Sequence, residues 1–273
     1  MESVSKVSQM LPAEFFTKSA KVIFVKDAIL SIPPFVHLPY LIWIGDPILM
    51  TICWYIFFGV MIINCLYTNN LYVLNGCLQL INDSLVRIRE TLINDERHLL
   101  RRVYHKQKNP VLLSKLGTLK KQHLKVCEVL QTLNDSFSMQ NIIIVTLLAA
   151  DITFNMYIYF VVYNKGGRIR TWKSFRLLFM IYHCSHIVMM VWYTESIRIR
   201  IEQIGSNIHR TIVHTFDEQV ITELEMFSMQ VLQKDSTLVA KGLVIDATLL
   251  TKVLCSITTF MLILIQFSLA KPC

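Results

Sequence analysis

The last apolar stretch of the chain carries two polar side chains whose spacing bears directly on its chemistry. Residues 253–270 hold no formal charge. A helix of this length rises about 27 Å, close to the roughly 30 Å hydrocarbon core of a bilayer. Thr259 and Gln266 are seven residues apart, so a helix places both on one face. Because lipid accommodates such a polar stripe poorly, the pattern predicts that this face meets a partner helix or a water path.

A second polar stripe interrupts the apolar stretch 139–163. Asp151 lies near its middle, and Asn155 and Tyr159 follow at intervals of about one helical turn. Within a membrane, side chains of this kind face protein or water. Two interpretations of Asp151 stay open: contact with a ligand, or an interhelical contact through a hydrogen bond or a basic residue such as Arg176.

The sequence lacks the motifs that usually carry catalysis. It contains no glycine-rich phosphate loop, no nucleophile elbow and no His-Glu-x-x-His motif, and it has only 8 glycines in 273 residues. His183 and His186 are three residues apart, but two histidines alone make a poor metal site. The favoured interpretation is that both face the interior of a helical bundle. The sequence therefore predicts a protein that is not an enzyme and has no metal site or cofactor.

The composition indicates a multi-pass membrane protein. Hydrophobic residues make up 53% of the chain and charged residues 17%, with a mean hydropathy of +0.47, which is too apolar for an ordinary soluble domain. Four segments are predicted to cross the membrane as helices: 47–68, 139–163, 175–194 and 242–270. The stretch 22–44 contains Lys26, Asp27 and three prolines, and is interpreted as irregular or interfacial. Residues 1–46 are therefore predicted to form an extracellular or interfacial stretch.

The two long connectors between these segments are predicted to be amphipathic helices. In 69–138 and in 195–241, apolar residues recur at alternating intervals of three and four. The stripe residues are Leu78, Ile81, Leu85, Ile88 and Leu92, then Leu112, Leu116, Leu119, His123, Val126, Leu130 and Leu133, then Ile197, Ile201, Ile204 and Ile208, and finally Phe216, Val220, Leu224, Phe227 and Val231. We expect a helical hairpin and a set of anchor helices, packed within the chain or between subunits. The predicted fold class is all-α: a polytopic membrane protein with four transmembrane helices and long amphipathic cytoplasmic helix extensions.

The basic residues predict an orientation. The two long connectors hold sixteen Lys and Arg, against nine in the N-terminal stretch, the 164–174 loop and the tail. This distribution favours cytoplasmic connectors, an extracellular loop at 164–174, and both termini outside. The formal net charge of +8 is assigned to the cytoplasmic faces near anionic membrane lipid, and no nucleic-acid partner is predicted.

The C-terminal pattern resembles the terminal signature of insect gustatory receptors, which usually carry Tyr at the position of Phe260. The residues that carry the resemblance are Thr259-Phe260, five apolar residues and Gln266-Phe267, preceded by Gly242-Leu-Val-Ile-Asp246 and Leu249-Leu250. A generic membrane helix is the alternative reading. Those receptors are seven-span proteins related to odorant receptors. The chain resembles their fourth to seventh membrane helices without the first three, as a fragment or as a naturally short form.

The resemblance implies a ligand-gated nonselective cation channel in the plasma membrane of chemosensory neurons. Four subunits, identical or mixed with other gustatory receptor subunits, would place the last helix around a central axis. Gln266 would then contribute to a ring of four amides, and Phe267 with the apolar residues before it would form a constriction that closes by dewetting. Thr259 and Phe260 would pack or line the pore lower down.

The family's ligand pocket, which would take a small-molecule tastant, opens to the outer half of the membrane helices. By the predicted orientation Asn155, Tyr159 and Tyr182 lie in or near that half, and with Asp151 they are the pocket candidates. The alternative function is a non-conducting protein, either a truncated receptor or a membrane adaptor that assembles through its cytoplasmic helices. The class of tastant does not follow from these residues.

Overall fold

A computed structural model of the chain describes residues 13–44, 47–96, 110–164, 170–215, 217–233, 239–240 and 243–270. In chain order the elements are α1 (Ala13–Ile44), α2 (Pro47–Glu96), α3 (Pro110–Asn164), α4 (Arg170–Val213), α5 (Glu218–Gln233), β1 (Val239–Ala240), β2 (Leu243–Val244) and α6 (Ala247–Ala270). The two short strands pair antiparallel, with Val239 opposite Val244. Apart from this hairpin the elements are helices, which confirms the predicted fold class.

The chain divides into two compact units. We call the first the amphipathic unit; it comprises Asn70–Leu133 and Glu195–Thr237 with Met1–Phe16. We call the second the apolar unit; it comprises Thr17–Asn69, Asn134–Thr194 and Leu238–Cys273. Within the described ranges, four helices (α2, α3, α4 and α6) are long and apolar enough to cross a membrane. They are the four helices that hydropathy predicts.

The core of the amphipathic unit is made of the predicted stripes. Leu78 and Leu85 of α2, Ile204 of α4 and Leu224 of α5 are each 0% exposed. The other buried members are Ile81, Ile88, Leu112, Leu116, Leu119, His123, Val126, Leu130, Leu133, Ile197, Ile201, Ile208, Val220, Phe227 and Val231. Leu92 is half-buried, and the side chain of Phe216 lies outside the described residues. Burial of these stripes supplies the main stabilisation of the unit.

Polar contacts fix the register of the amphipathic helices. The Asn207 amide of α4 donates to Asn82 Oδ1 of α2 over 2.7 Å. The Arg89 guanidinium in turn donates to Asn207 Oδ1 over 3.3 Å. Between α3 and α5, Lys120 Nζ lies 2.7 Å from Glu223 Oε2. Each contact satisfies a polar group beside the apolar core and so favours one alignment of the helices.

His123 is the one polar member of the α3 stripe, and it is wholly buried. Gln230 of α5 lies with its Nε2 3.2 Å from His123 Nδ1 and also donates to the Lys120 carbonyl oxygen over 3.0 Å. The ring packs against Phe227, with a centroid distance of 5.5 Å. Because the Gln230 N–H donates, His123 Nδ1 accepts and the ring is neutral. Burial lowers the pKa of His123 to about 4.

The amphipathic unit is therefore expected to lose stability in mild acid. Above pH 6.5 His123 is neutral in both the folded and unfolded states and contributes nothing to pH dependence. As the pH falls from 6.5 towards 4, the unfolded chain takes up the proton first, so the free energy of unfolding drops by about 3 kcal/mol at most. Hydrogen exchange of α5 amides between pH 7 and 4.5 measures the drop. The His123→Phe variant should lack it, and an unchanged pH dependence in that variant would exclude His123 as the cause.

The apolar unit has its own core. Ile144, Leu148 and Ile152 of α3 pack with Ile187 of α4 and Ile257 of α6, and each of these side chains is less than one-tenth exposed. Half-buried residues of α2 and α6 surround this cluster. The core thus holds one face of α6 against the other helices of the apolar unit and fixes which face of α6 is left outward.

The prediction that the stretch 22–44 is irregular is wrong, because α1 is one helix from Ala13 to Ile44. The charges that argued against a packed helix are paired. Lys26 Nζ lies 3.2 Å from Asp27 Oδ1 and donates to Thr68 Oγ1 of α2 over 3.2 Å. Asn69 accepts from Lys26 and donates to Asp27 over 2.7 Å. Paired charges cost far less to bury than isolated ones, so the helix packs despite them.

The contacts also set the direction of α1. The Trp54 indole N–H donates to the Pro34 carbonyl oxygen over 2.9 Å, whereas Lys26, earlier in α1, reaches Asn69, later in α2. Within the apolar unit α1 therefore runs antiparallel to α2.

Candidate ligand site and pore helix

The helix α6 begins at Ala247, later than the predicted boundary at residue 242, because Asp246 caps it. The Asp246 carboxylate accepts from the backbone N–H of Thr248 over 2.9 Å and of Leu249 over 3.2 Å. The Thr248 hydroxyl also donates to Asp246 Oδ1 over 2.6 Å, and this side-chain hydrogen bond is the main cause that lowers the pKa of Asp246. Ile245 and Leu249 are buried on either side of the cap. These residues belong to the segment that resembles the gustatory receptors, and here they start the helix and seat it.

The two polar residues singled out on α6 lie on its outward face. Ile257 is 7% exposed and belongs to the core. Gln266 follows it by nine residues, two and a half turns, and so points to the opposite side of the helix. Thr259 lies about 200° around the helix from Ile257. Both Thr259 and Gln266 are exposed.

The two phenylalanines of the pattern occupy a different side of α6. Phe260 is 57% exposed and Phe267 is 71% exposed. Each follows its polar neighbour by one residue, so it lies about 100° around the helix from Thr259 or Gln266. The polar face and the phenylalanine face are therefore distinct, and none of the described parts of the chain covers either of them.

Asp151 and Asn155 of α3 lie close to His183, which belongs to a different helix, α4. The Asn155 amide donates to Asp151 Oδ2 over 2.8 Å. The same oxygen lies 3.4 Å from His183 Nε2 of α4, whose side chain is 2% exposed. Asp151 therefore lies in contact with a histidine of another helix, which is the interhelical alternative that the sequence left open. The Arg176 side chain, its other suggested partner, lies outside the described residues.

An aromatic cluster surrounds this polar contact on α4. The His183 ring lies 4.4 Å from Phe179, 5.3 Å from Phe57 of α2 and 5.2 Å from Tyr182, measured between centroids. Tyr182 is buried, so this pocket candidate joins the cluster. Tyr159 lies two turns beyond Asp151 on α3 and is half-buried. Among the described residues it makes no hydrogen bond or ring contact with the cluster.

Sequence reasoning missed a second polar contact in the same unit. Asn64 of α2 lies with its amide nitrogen 2.7 Å from His186 Nδ1 of α4. Asn64 is 1% exposed and His186 is 3% exposed. His183 and His186 both face the interior, as favoured from their spacing, but they bind different partners. Asn64 is the one amide side chain in the uncharged run 47–68. A lone amide inside a predicted membrane helix was the signal available in the sequence.

Known proteins were compared with the chain. The 7tm Chemosensory receptor family matches residues 35–271. A Drosophila melanogaster protein named "Putative gustatory receptor 28b" is 27% identical over 159 residues, which cover 55% of this chain and 33% of that protein. The chain thus spans about one third of that relative's length.

Among solved structures, the insect olfactory receptor OR5 from Machilis hrabei, in complex with eugenol, has a similar fold. The TM-score is 0.57 at 14% sequence identity, and the match covers 94% of this chain and 70% of that one. The likeness is one of helix arrangement. The family match extends over most of the helices described above, including the capped and outward-facing α6. The chain belongs to the 7tm chemosensory receptor family.

Proposed function

We propose that this chain is a gustatory receptor subunit that acts as a ligand-gated nonselective cation channel in the plasma membrane of chemosensory neurons. Four subunits, identical or mixed with other gustatory receptor subunits, surround a pore lined by α6. A small-molecule tastant binds among the helices of the apolar unit. The observation that carries the proposal is the exposed face of α6 that holds Thr259 and Gln266, directly opposite the face packed on its own subunit.

A polar face on an otherwise apolar helix suits a pore better than a lipid contact. In hydrocarbon a primary amide lacks hydrogen-bond partners, whereas in a pore it faces water and permeating ions. Leu262, 57% exposed, precedes Gln266 by four residues and lies within about 40° of it. We assign the apolar constriction to Leu262, because Phe267 lies to one side. Phe260 and Phe267 then pack against the neighbouring subunit's α6.

The amphipathic unit offers a second contact between subunits. On α5, Met226, Met229 and Leu232 recur every three residues and are 38%, 54% and 79% exposed. Methionine adapts its shape to irregular partner surfaces. We assign this strip to contact with the adjacent subunit, with the amphipathic unit in the cytoplasm, as the basic residues predict.

Helix α1 is not among the four helices that are apolar enough to cross by composition alone, but its Lys26 and Asp27 are paired, and we propose it as a fifth membrane crossing. It runs antiparallel to α2, and its first residues belong to the amphipathic unit, where the Phe15 ring lies directly against Gly76. A crossing α1 places its Ala13 end on the cytoplasmic side, opposite to the extracellular location predicted from composition. An epitope tag at the amino end should then be reached by antibody only after the membrane is permeabilised.

Expression of the chain alone in cells without chemoreceptors tests the function. The proposal expects tetramers at the cell surface that carry a cation current evoked by tastants, with similar permeability to Na⁺ and K⁺. Subunit counting by photobleaching establishes assembly independently of current. Tetramers that conduct neither spontaneously nor with any tastant would favour the alternative, a non-conducting receptor fragment or membrane adaptor.

A further inference from the structure

The contact between Asn64 and His186 has unused hydrogen-bonding capacity. Asn64 Oδ1 and His186 Nε2 are buried and have no hydrogen-bond partner within the described ranges. Tyr182 lies one turn before His186 on α4, and its hydroxyl is likewise buried without a hydrogen-bond partner among these residues. Buried polar atoms of folded proteins are nearly always paired, so three of them on adjacent residues call for an occupant.

Donor and acceptor counting defines what this occupant must offer. If the Asn64 amide nitrogen donates to His186 Nδ1, the neutral ring carries its proton on Nε2, which is then a donor, while Asn64 Oδ1 is an acceptor. If the amide is turned over, Nε2 becomes the acceptor and the amide N–H the donor. Either arrangement leaves one donor and one acceptor. A hydroxyl group matches both, because it donates once and accepts twice.

The surroundings define the rest of the occupant. The Tyr182 ring stands edge-to-face with His186, at a centroid distance of 4.6 Å. Tyr182 also shares a core cluster with Met61, Cys65 and Phe179, against which Phe58 packs. These walls are apolar or aromatic, so they suit an uncharged ring or hydrocarbon body.

We propose that Asn64, His186 and Tyr182 form a hydroxyl-binding site, and that the receptor takes ligands with an uncharged apolar or aromatic body bearing a hydroxyl group. The ligand part rests on the proposed function. A water molecule supplies the same hydroxyl chemistry when ligand is absent, and a ligand hydroxyl displaces it. A ketone or an ether can only accept a hydrogen bond. It could pair with the free donor of the Asn64–His186 pair, but it would leave the free acceptor of that pair without a hydrogen bond.

The test compares 4-methylphenol with toluene, which has the same ring and methyl group but no hydroxyl. Binding of each to the purified chain in lipid nanodiscs is measured by calorimetry, without current. The proposal expects wild-type protein to bind 4-methylphenol at least tenfold more tightly than toluene. In the double variant N64L/H186F this preference should fall at least fivefold relative to wild type. Both proteins are measured in the same nanodiscs, so the partitioning of the probes into lipid is equal and cancels in the comparison. Replacing Asn64 and His186 together with apolar groups of similar shape leaves neither position with an orphaned polar atom, which favours folding of the variant.

Thr153→Val is the matched control, since Thr153 is also a buried polar residue of the apolar unit, 7% exposed, but its hydroxyl already donates to the Ala149 carbonyl oxygen within α3. It should keep the wild-type preference. Tyr182→Phe should reduce the preference part-way and provides a second, milder variant. Equal binding of the two probes to wild type, or a preference that survives in N64L/H186F, would overturn the proposal and leave only a structural water there. Neither result depends on conduction, so failure here is distinct from failure of the channel function.

Discussion

Replacing Gln266 with leucine is expected to reduce the tastant-evoked cation current at least tenfold. Four leucines in place of four amides would add a second apolar ring about one helical turn from the Leu262 ring, which favours dewetting of the pore. A tenfold loss corresponds to about 1.4 kcal/mol of added barrier. Whole-cell recording, normalised to the number of tetramers at the surface, measures the change. Gln266→Glu should act in the opposite direction and raise cation over anion permeability, because it places a carboxylate ring on the permeation path.

Thr258→Val provides the matched control for Gln266. Thr258 is exposed on α6, and among the described residues its hydroxyl bonds only to the Leu254 carbonyl oxygen of the same helix. It lies about 80° around the helix from Gln266, so loss of its hydroxyl should leave conduction within twofold of wild type. An equal loss of current in the two variants would mean that polarity anywhere on α6 matters, and that Gln266 has no special position.

Replacing Asp151 with leucine is expected to lower the free energy of unfolding by about 3 kcal/mol. The substitution removes the acceptor of the Asn155 amide and the carboxylate that lies 3.4 Å from His183 Nε2. Asn155 and His183 are both buried in the apolar unit, where polar groups left without a partner are costly. The midpoint of thermal unfolding in detergent measures the effect. The loss should also reduce tastant response, because α3 and α4 are no longer held together beside the aromatic cluster.

The double variant Asp151→Leu/His183→Phe separates pairing from side-chain volume. With both partners apolar, no charge or imidazole stays buried without its partner, so most of the lost stability should return. The two substitutions should therefore be far from additive, with a coupling of about 1–3 kcal/mol. Additive losses would show that Asp151 and His183 stabilise the fold through separate contacts.

The amphipathic helices follow closely from the sequence, while α1 does not. Spacing of apolar residues at three and four fixes a helical face by geometry alone, so the buried positions of Leu78, Leu224 and their neighbours are readable without a structure. A hydropathy scale, by contrast, scores Lys26 and Asp27 separately, each as unfavourable for burial in a membrane helix. It has no information on Thr68 and Asn69, more than forty residues away, which satisfy these charges.

The candidate site was predictable in part for the same reason. Asp151 and Asn155 are one helical turn apart, so their contact is local and sequence reveals it. The contacts Asp151 with His183 and Asn64 with His186 join different helices, and only the packing of the apolar unit brings them together. The outward direction of Gln266 lies between these cases: its helical face is predictable, but the position of Ile257 in the core decides where that face points.

A native thiol allows the most direct test of α6. Cys255 is free and exposed, and it lies four residues before Thr259 and eleven before Gln266, hence on the same face. If that face lines water in the assembled receptor, a cationic methanethiosulfonate reagent applied during tastant-evoked current should reach Cys255 and block most of the current irreversibly. Cys255→Ser, which keeps every other cysteine, should be insensitive. A current that persists in the wild-type receptor while mass spectrometry finds Cys255 modified, or a Cys255 that never reacts in open channels, would contradict a pore lined by α6.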